Sequence, residues 1–272
     1  NHGNTIVSNM TTATFTKWLN DLRGIRNDKA GEKLSLTTRK NLSRTCRSFF
    51  TYCIEQGWAL KNPVPLPKKK RTNKQKLAEQ PKREIMQPSE IARFMHKVEE
   101  VASCITPFWA VKFFAGIRDA EAARLDWSMV DFKKSTINLP ADITKTGEKR
   151  TVKMEQALVA WLTPYKQKKG DLAPGSSTRR YYYKKVLRHL RKPKEKDGEP
   201  LVFIFPSNAA RHSFATYHLY HFRDAGETSI QLGHSGNPSM LWKHYANPCG
   251  DDQDVTAEFW ATRSAKVVSI KS

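Results

Sequence analysis

Two stretches near the C-terminus carry side chains that could bind a phosphate and react with it. Arg211 lies in the first stretch, and His234 and Tyr245 lie in the second. An arginine guanidinium can donate two parallel hydrogen bonds to a phosphate. A tyrosine hydroxyl is a weak nucleophile, but it can attack a phosphodiester whose charge has been neutralised. These residue types therefore indicate a phosphate site in which a phenol forms a covalent bond to phosphorus.

Four motifs occur in order along the chain. They are Gly-Ile-Arg-Asp-Ala-Glu at 116–121, Thr-Lys-Thr-Gly at 144–147, Arg-His-Ser-Phe-Ala-Thr at 211–216, and Leu-Gly-His-Ser at 232–235 followed by His-Tyr-Ala at 244–246. Together they resemble the catalytic half of the tyrosine recombinase (phage integrase) family. One such motif alone is a weak signal, whereas four in the same order are a strong one. The resemblance implies a DNA strand-transfer enzyme that needs no metal ion and no cofactor.

The resemblance assigns the phosphate-binding roles to three residues. Arg118 and Arg211 would hold the nonbridging oxygens and stabilise the pentacoordinate transition state. His234 would donate a hydrogen bond to the same phosphate, unless it is a structural histidine. The alternative for Arg118 is an ordinary surface ion pair with Asp119 or Glu121.

Tyr245 is the nucleophile that the resemblance implies, and it would form a 3′-phosphotyrosyl link. A single tyrosine is more often a packing residue. The neighbouring histidine and alanine and the distance from His234 favour Tyr245. Tyr217 and Tyr220 are rivals, but both fall within the helix that Arg211 begins, and we expect them to pack.

Proton transfer depends on the remaining two positions of the site. Lys145 would protonate the departing 5′-oxygen from a turn between two strands, with Lys149 as its competitor. The family has a histidine or a lysine three residues before the second arginine, and this chain has Asn208 there. An asparagine can donate a hydrogen bond to a phosphate oxygen but cannot carry a proton. His212 is expected to support the site without touching the phosphate.

The overall charge points to a polyanionic partner. The 272 residues carry a formal charge of +21, and mean hydropathy is −0.64. Residues 1–80 hold 16 Lys and Arg against 5 Asp and Glu, a net +11. Such an excess favours nucleic acid over a coat that merely aids solubility.

Nothing in the sequence indicates export or a membrane. The four cysteines have no zinc-like or paired spacing, so we expect them to be reduced, as in an intracellular protein. No charged and then apolar leader follows Asn1, and no apolar run approaches membrane-spanning length. The expected location is the cytoplasm, in association with the nucleoid.

The first predicted domain spans residues 1–64 and is helical. Apolar residues recur at helical spacing from Phe15 and again after Leu36, where Leu42, Cys46, Phe49, Phe50, Cys53 and Ile54 form one face. The opposite face is expected to bind DNA through Arg39, Lys40, Arg44 and Arg47. Residues 65–86 read as a basic linker, in which the expected DNA contacts are Lys68, Lys69, Lys70 and Arg71.

The second predicted domain spans residues 87–247 and carries the four motifs. Ser89 is the expected cap of its first helix, and residues 101–115 are apolar enough for a central buried helix. Residues 127–152 lose the helical period and predict a small antiparallel sheet with a turn at Lys145. Residues 248–272 form a tail whose Phe259 and Trp260 could dock on a neighbouring protomer or pack on their own domain.

The expected fold is mainly α with a small antiparallel β-sheet, in two domains. The resemblance implies a helical core-binding (SAM-like) domain and a tyrosine recombinase catalytic domain. The expected function is site-specific recombination of double-stranded DNA, with a tetramer on paired sites and a monomer or weak oligomer when free. The alternatives are a type IB topoisomerase-like strand transferase and a DNA-binding protein with impaired catalysis.

Overall fold

The computed structural model describes residues 7–24, 30–66, 85–191, 203, 205–206, 208–234, 241 and 253–266. The chain divides into two compact units, residues 1–80 and residues 81–272. The division falls inside residues 65–86, the segment that the sequence predicts to be a basic linker. Lys68, Lys69, Lys70, Arg71 and Tyr245 lie outside the described residues.

The first unit contains helices α1 (Thr12–Asp21) and α2 (Leu36–Glu55). Both begin at a hydroxyl cap, because Thr11 accepts a hydrogen bond from the Thr14 amide and Ser35 accepts one from the Thr38 amide. Phe15, Phe50 and Val64 form the buried centre of this unit.

The two faces of α2 differ from the prediction. Only part of its apolar face is buried, because Phe50 and Cys53 face inward while Phe49 is 51% exposed. On the basic face, Lys40 and Arg44 are exposed. The Arg47 guanidinium instead donates a 2.6 Å hydrogen bond to the Val64 carbonyl and so links α2 to the segment that follows it.

The second unit is built around an apolar central helix. Within the described residues its α-helices are α3 (Pro88–Ala102), α4 (Thr106–Phe114), α5 (Asp119–Ala122), α6 (Gln156–Leu162), α7 (Ser176–Leu190), α8 (Ala209–Phe222), α9 (Ala225–Leu232) and α10 (Gln253–Ala261). The central helix is α4, which packs against α6 and α8, and α10 packs against α3 and α8. No helix in the described ranges is long and apolar enough to cross a membrane.

A small antiparallel sheet interrupts the helices, as the sequence predicts. Its strands are β1 (Val130–Asp131), β2 (Thr136–Leu139) and β3 (Arg150–Lys153), in that spatial order. Ile137 on the central strand pairs with Val130 and Val152. Because alternate residues of a strand point to the same face, these side chains bury one face of the sheet. The β2–β3 connection carries Lys145.

The start of α3 corrects one expectation. The helix begins at Pro88, and Gln87 is its capping position in place of Ser89. Glu90 closes the turn by accepting a 2.8 Å hydrogen bond from the Gln87 amide. Proline at the first helical position removes a donor that would have no partner there, which favours this earlier start.

The C-terminal helix packs on its own unit in this single chain. Phe259 is fully buried, with ring centroids 4.5 Å from Tyr217 and 5.2 Å from Phe114. The Tyr217 hydroxyl donates to the Met86 carbonyl at 2.8 Å, so this tyrosine packs, as expected. Docking of the tail on a neighbouring protomer stays a prediction for an assembly on DNA.

His218 is a buried titratable group in the interior of the second unit. Its Nδ1 lies 2.7 Å from the Thr228 hydroxyl. Burial, with a smaller effect of the positive charges of Lys153 and His221, lowers the pKa of His218 from 6.5 to about 3, and the Asp224 carboxylate opposes this only weakly. The unfolded chain therefore binds this proton more readily than the folded protein.

We expect acidification to weaken the fold through His218. Its contribution is fully present above pH 6.5 and is lost as the pH falls towards 3. A His218→Gln variant should show a smaller decrease of Tm than the wild type across this window, measured by circular dichroism. His189→Gln, on α7, is the matched control and should keep the wild-type dependence. Equal slopes for the wild type and His218→Gln would contradict the assignment.

Candidate active site

Arg211 and His234 meet at one point of the second unit. Arg211 is the third residue of α8, and His234 follows the end of α9. The Arg211 Nη2 atom donates to the Leu232 carbonyl at 2.6 Å and lies 3.1 Å from His234 Nε2. The Nη1 atom donates to the Gly116 carbonyl. The guanidinium thus joins three segments that are far apart in the sequence.

Arg118 reaches the same loop from the other side. It precedes α5, and its Nη2 atom donates to the Gly233 carbonyl at 3.0 Å. Its Nη1 atom forms a 3.0 Å ion pair with Glu121. The predicted alternative, an ion pair with Glu121, is therefore present. This ion pair does not draw Arg118 away from the candidate site, because the Nη2 atom of the same guanidinium contacts the loop that carries His234.

Glu121 is a buried carboxylate that holds the site together. Its side chain is 1% exposed, and it accepts hydrogen bonds from Arg118, from the Lys145 amide at 3.3 Å and from Arg150 Nη2 at 2.6 Å. Burial opposes its ionisation, but the hydrogen bonds and positive charge of Arg150, with smaller contributions from Lys145 and Arg118, outweigh burial and lower the pKa of Glu121 to about 2. The carboxylate therefore stays ionised and fixes these three groups.

Lys145 lies on the exposed turn between β2 and β3. The Thr144 hydroxyl braces this turn, because its single proton lies between the carbonyl oxygens of Ala141, at 3.0 Å, and Glu148, at 2.9 Å. The Lys145 amide is bound to Glu121, which also holds Arg118. This shared carboxylate ties the turn that carries Lys145 to the segment that carries Arg118.

Two glycines allow the close approach of these segments. Gly116 and Gly233 both have φ of +61°, which side chains rarely adopt. A Cβ atom on Gly116 would lie 2.3 Å from the Phe214 ring, and one on Gly233 would lie 2.9 Å from Arg150 Nε. Glycine at 116 lets α8 approach the end of α4, and glycine at 233 leaves space for the Arg150 guanidinium.

Asn208 stands at the start of α8, in the left-handed conformation with φ of 58°. It is exposed and lines an open cavity that also contains Lys112 and Asp119. His212 is half-buried one residue beyond Arg211. Among the described residues, no group of three or more His, Cys, Asp and Glu side chains could hold a metal ion.

Leu241 is the described residue that precedes Tyr245 most closely in the sequence. Leu241 is fully buried against a cluster that includes Phe214 and Leu232. Tyr245 itself lies outside the described residues, within the range 81–272 of the second unit.

The sequence motifs do not indicate two residues that hold the site. They name Glu121 only as an alternative ion-pair partner of Arg118, and they assign no role to Arg150. No pattern in the sequence shows that Glu121 and Arg150, 29 residues apart, would meet.

The second unit is thus a mainly helical domain with a small antiparallel sheet, and it brings Arg118, Arg211 and His234 together. The model of the phage integrase family matches residues 84–249, which is more than half of the chain. The chain therefore belongs to the phage integrase family, and the resemblance seen in the four motifs is confirmed.

Solved structures share the fold at low sequence identity. The Tn1549 transposon integrase in complex with a circular intermediate DNA is similar with a TM-score of 0.62 and 16% identity, over 92% of this chain and 84% of that chain. The XerH site-specific recombinase, bound to a palindromic difH substrate in a post-cleavage complex, has a TM-score of 0.57 and 16% identity, over 88% of this chain and 69% of that chain. No curated protein matches the chain in sequence.

Proposed function

We propose that the chain is a site-specific DNA recombinase or integrase that cleaves and rejoins strands through a 3′-phosphotyrosyl link to Tyr245. The observation that supports this proposal most strongly is the meeting of Arg118, Arg211 and His234 around one short loop. Two guanidiniums and an imidazole so close together create a site for an anion. Family membership makes a DNA phosphate the natural occupant.

In the proposed reaction, the site holds one phosphodiester while two bonds change. Arg118 and Arg211 neutralise the nonbridging oxygens, which lets the Tyr245 oxygen bond to phosphorus as its hydroxyl proton passes to water. The bond from phosphorus to the 5′-oxygen then breaks, and Lys145 donates the proton that this oxygen needs. The energy of the phosphodiester is kept in the phosphotyrosyl link, so a second strand can be joined by the reverse steps.

DNA is the proposed partner because charge and family agree. The formal charge of +21 favours a polyanion, and counterion release from its phosphates would add affinity. The similar transposon integrase and XerH structures are complexes with DNA. Lys40 and Arg44 are exposed on the first unit and are available for phosphates. Arg39 and Arg47 are partly buried.

We also propose that recombination is carried out by a tetramer of such chains on paired DNA sites.

A covalent capture experiment tests the proposal. Wild type and Tyr245→Phe are incubated with a pool of nicked duplexes of randomised sequence in the presence of a chelator. The wild type should retain DNA through a denaturing gel, and the variant should retain none, because phenylalanine has no oxygen to bond to phosphorus. Sequencing the captured DNA gives a duplex for later measurements. Tyr220→Phe, which changes a rival tyrosine on α8, should behave as the wild type does.

Absence of an adduct from the whole pool would overturn the proposed reaction. It would favour the alternative of a DNA-binding protein with impaired catalysis, for which Asn208 in place of a histidine or lysine is the supporting observation. Relaxation of supercoiled DNA by a monomer, with no requirement for paired sites, would instead identify a type IB topoisomerase-like activity.

A further inference from the structure

Arg150 is a mostly buried arginine that directly follows the turn carrying Lys145. It is the first residue of β3 and pairs with Leu139 on β2. Its side chain is 11% exposed. It lies only five residues after Lys145 in the sequence. Because β3 begins here, a contact that fixes Arg150 also fixes one end of this turn.

The first contact of Arg150 closes the turn through Glu121. The Nη2 atom donates to Glu121 Oε2 at 2.6 Å, and the Nη1 atom donates to Oε1 at 3.3 Å. The same Oε1 atom accepts a hydrogen bond from the Lys145 amide at 3.3 Å. The carboxylate therefore bridges the two ends of the segment 145–150. An arginine suits this place because its planar fork can hold both carboxylate oxygens at once.

The second contact of Arg150 is with the loop that carries His234. A Cβ atom on Gly233 would lie 2.9 Å from Arg150 Nε and 3.0 Å from its Cζ, so the guanidinium lies directly against the Gly233 backbone. The Gly233 carbonyl accepts the 3.0 Å hydrogen bond from Arg118. Arg150 therefore touches the peptide that holds one of the two arginines of the site.

The other end of β3 is attached to the same segment. The Lys153 amide donates to the side-chain oxygen of Gln231, which is buried near the end of α9, at 3.0 Å. The next residue is Leu232, whose carbonyl accepts the 2.6 Å hydrogen bond from Arg211. The strand that leaves the turn is thus fixed at both of its ends to residues 231–233.

Arg150 itself is not placed to bind the phosphate. Both terminal nitrogens donate to Glu121, and the Nε atom is buried with no hydrogen-bond partner in the described part of the chain. Stability is a weak reason for a buried ion pair, since the loss of hydration offsets much of the attraction. Glu121 also has a counter-charge from Arg118. What Arg150 adds to that pair is a link between the turn that carries Lys145 and Gly233.

We propose that Arg150 is a positioning residue that holds the turn carrying Lys145 at a fixed distance from residues 231–233, so that the Lys145 ammonium reaches the departing 5′-oxygen. The inference rests on the proposed strand-transfer function. A proton donor must lie within hydrogen-bond distance of the atom it protonates, and a misplacement of about 1 Å can cost about 10²-fold in rate. Arg150 therefore acts on the protonation of the leaving group and not on the attack by Tyr245.

The test compares two versions of the captured duplex, one with the natural 5′-oxygen at the cleaved phosphate and one with sulfur in its place. A thiol is a much stronger acid than an alcohol, so the sulfur leaves as a thiolate and needs no proton. Single-turnover adduct formation is measured at saturating protein. Arg150→Met leaves Glu121 its ion pair with Arg118. This variant should lose about 10²-fold in rate on the oxygen duplex and stay within about threefold of the wild type on the sulfur duplex.

Three other variants calibrate this comparison. Lys145→Met should show the same pattern as Arg150→Met, because it removes the proton donor itself. Arg211→Lys should be slow on both duplexes, because it weakens the hold on the phosphate. Arg150→Lys should recover about tenfold over Arg150→Met on the oxygen duplex, since one ammonium can still bind one oxygen of Glu121.

Arg93→Met is the matched control, because it changes an arginine of α3 that is bound to a main-chain carbonyl, and it should keep both rates. Equal losses for Arg150→Met on the two duplexes, as a loosened fold would give, overturn the inference, and so does a wild-type rate on the oxygen duplex. If Arg150→Met does not fold, the same two outcomes for Arg150→Lys overturn it. Absence of an adduct from the wild type on both duplexes would refute the proposed function itself.

Discussion

Replacing Arg211 with lysine is expected to lower the single-turnover rate of adduct formation about 10³-fold, with little change in DNA affinity. Removal of one transition-state donor costs about 10²–10³ in rate, and a lysine also loses the planar fork. The Arg211 guanidinium donates to the carbonyls of Gly116 and Leu232 while it lies 3.1 Å from His234 Nε2. One ammonium cannot span these partners and a phosphate together. The variant should therefore bind DNA and fail to react.

The rate is measured on a captured duplex at saturating protein, and affinity is measured separately by titration. Arg93→Lys is the matched control, because Arg93 also donates to a main-chain carbonyl, that of Leu190, at 2.9 Å. It lies on α3 and should keep the wild-type rate. A rate for Arg211→Lys within threefold of the wild type would remove Arg211 from the reaction.

Replacing Glu121 with glutamine is expected to weaken both the fold and the reaction. The change removes the negative charge that Arg118 and Arg150 share, and it leaves two partly buried guanidiniums without a counter-charge. Breaking a buried pair costs roughly 3 kcal/mol of unfolding free energy, and the rate should fall with it because Arg118 and Lys145 lose their common support. Denaturant unfolding and adduct formation measure the two effects.

The pH dependence of stability gives a second readout for Glu121. Its pKa is about 2 in the folded protein and 4.5 in the unfolded chain, so its contribution is present above pH 4.5 and is lost as the pH falls towards 2. Glu121→Gln should lack that part of the acid sensitivity. Glu100→Gln, which changes an exposed carboxylate paired with Lys97, should alter neither stability nor rate. Wild-type behaviour of Glu121→Gln would show that Glu121 does not hold the site together.

Much of the fold can be predicted from local patterns. The loss of the helical period in residues 127–152 predicts the antiparallel sheet, and the apolar run of residues 101–115 predicts the buried helix α4. The prediction of burial fails where a small unit cannot cover every apolar side chain. On α2, Phe49 shares an apolar face with Phe50, but the small first unit buries only Phe50.

The sequence likewise predicts only part of the candidate site. The motifs name Arg118, Arg211 and His234, and the structure brings these three together. The contacts that hold them, through Glu121 and Arg150, join segments whose meeting depends on the tertiary fold. Local spacing carries no information about such contacts. For a buried charged residue it can predict the helix or strand, but it cannot predict the partner.

The burial of Phe259 limits how copies of this chain can exchange helix α10 by domain swapping. In the single chain this ring fills a slot against Tyr217 and Phe114. A subunit that passes α10 to a neighbour empties its own slot, and exposing that apolar surface costs about 2 kcal/mol or more. In a closed ring of subunits, every such slot receives the Phe259 ring of a neighbour, whereas a linear array leaves one slot empty at its end. Swapping would therefore favour cyclic assemblies of defined size over growing filaments.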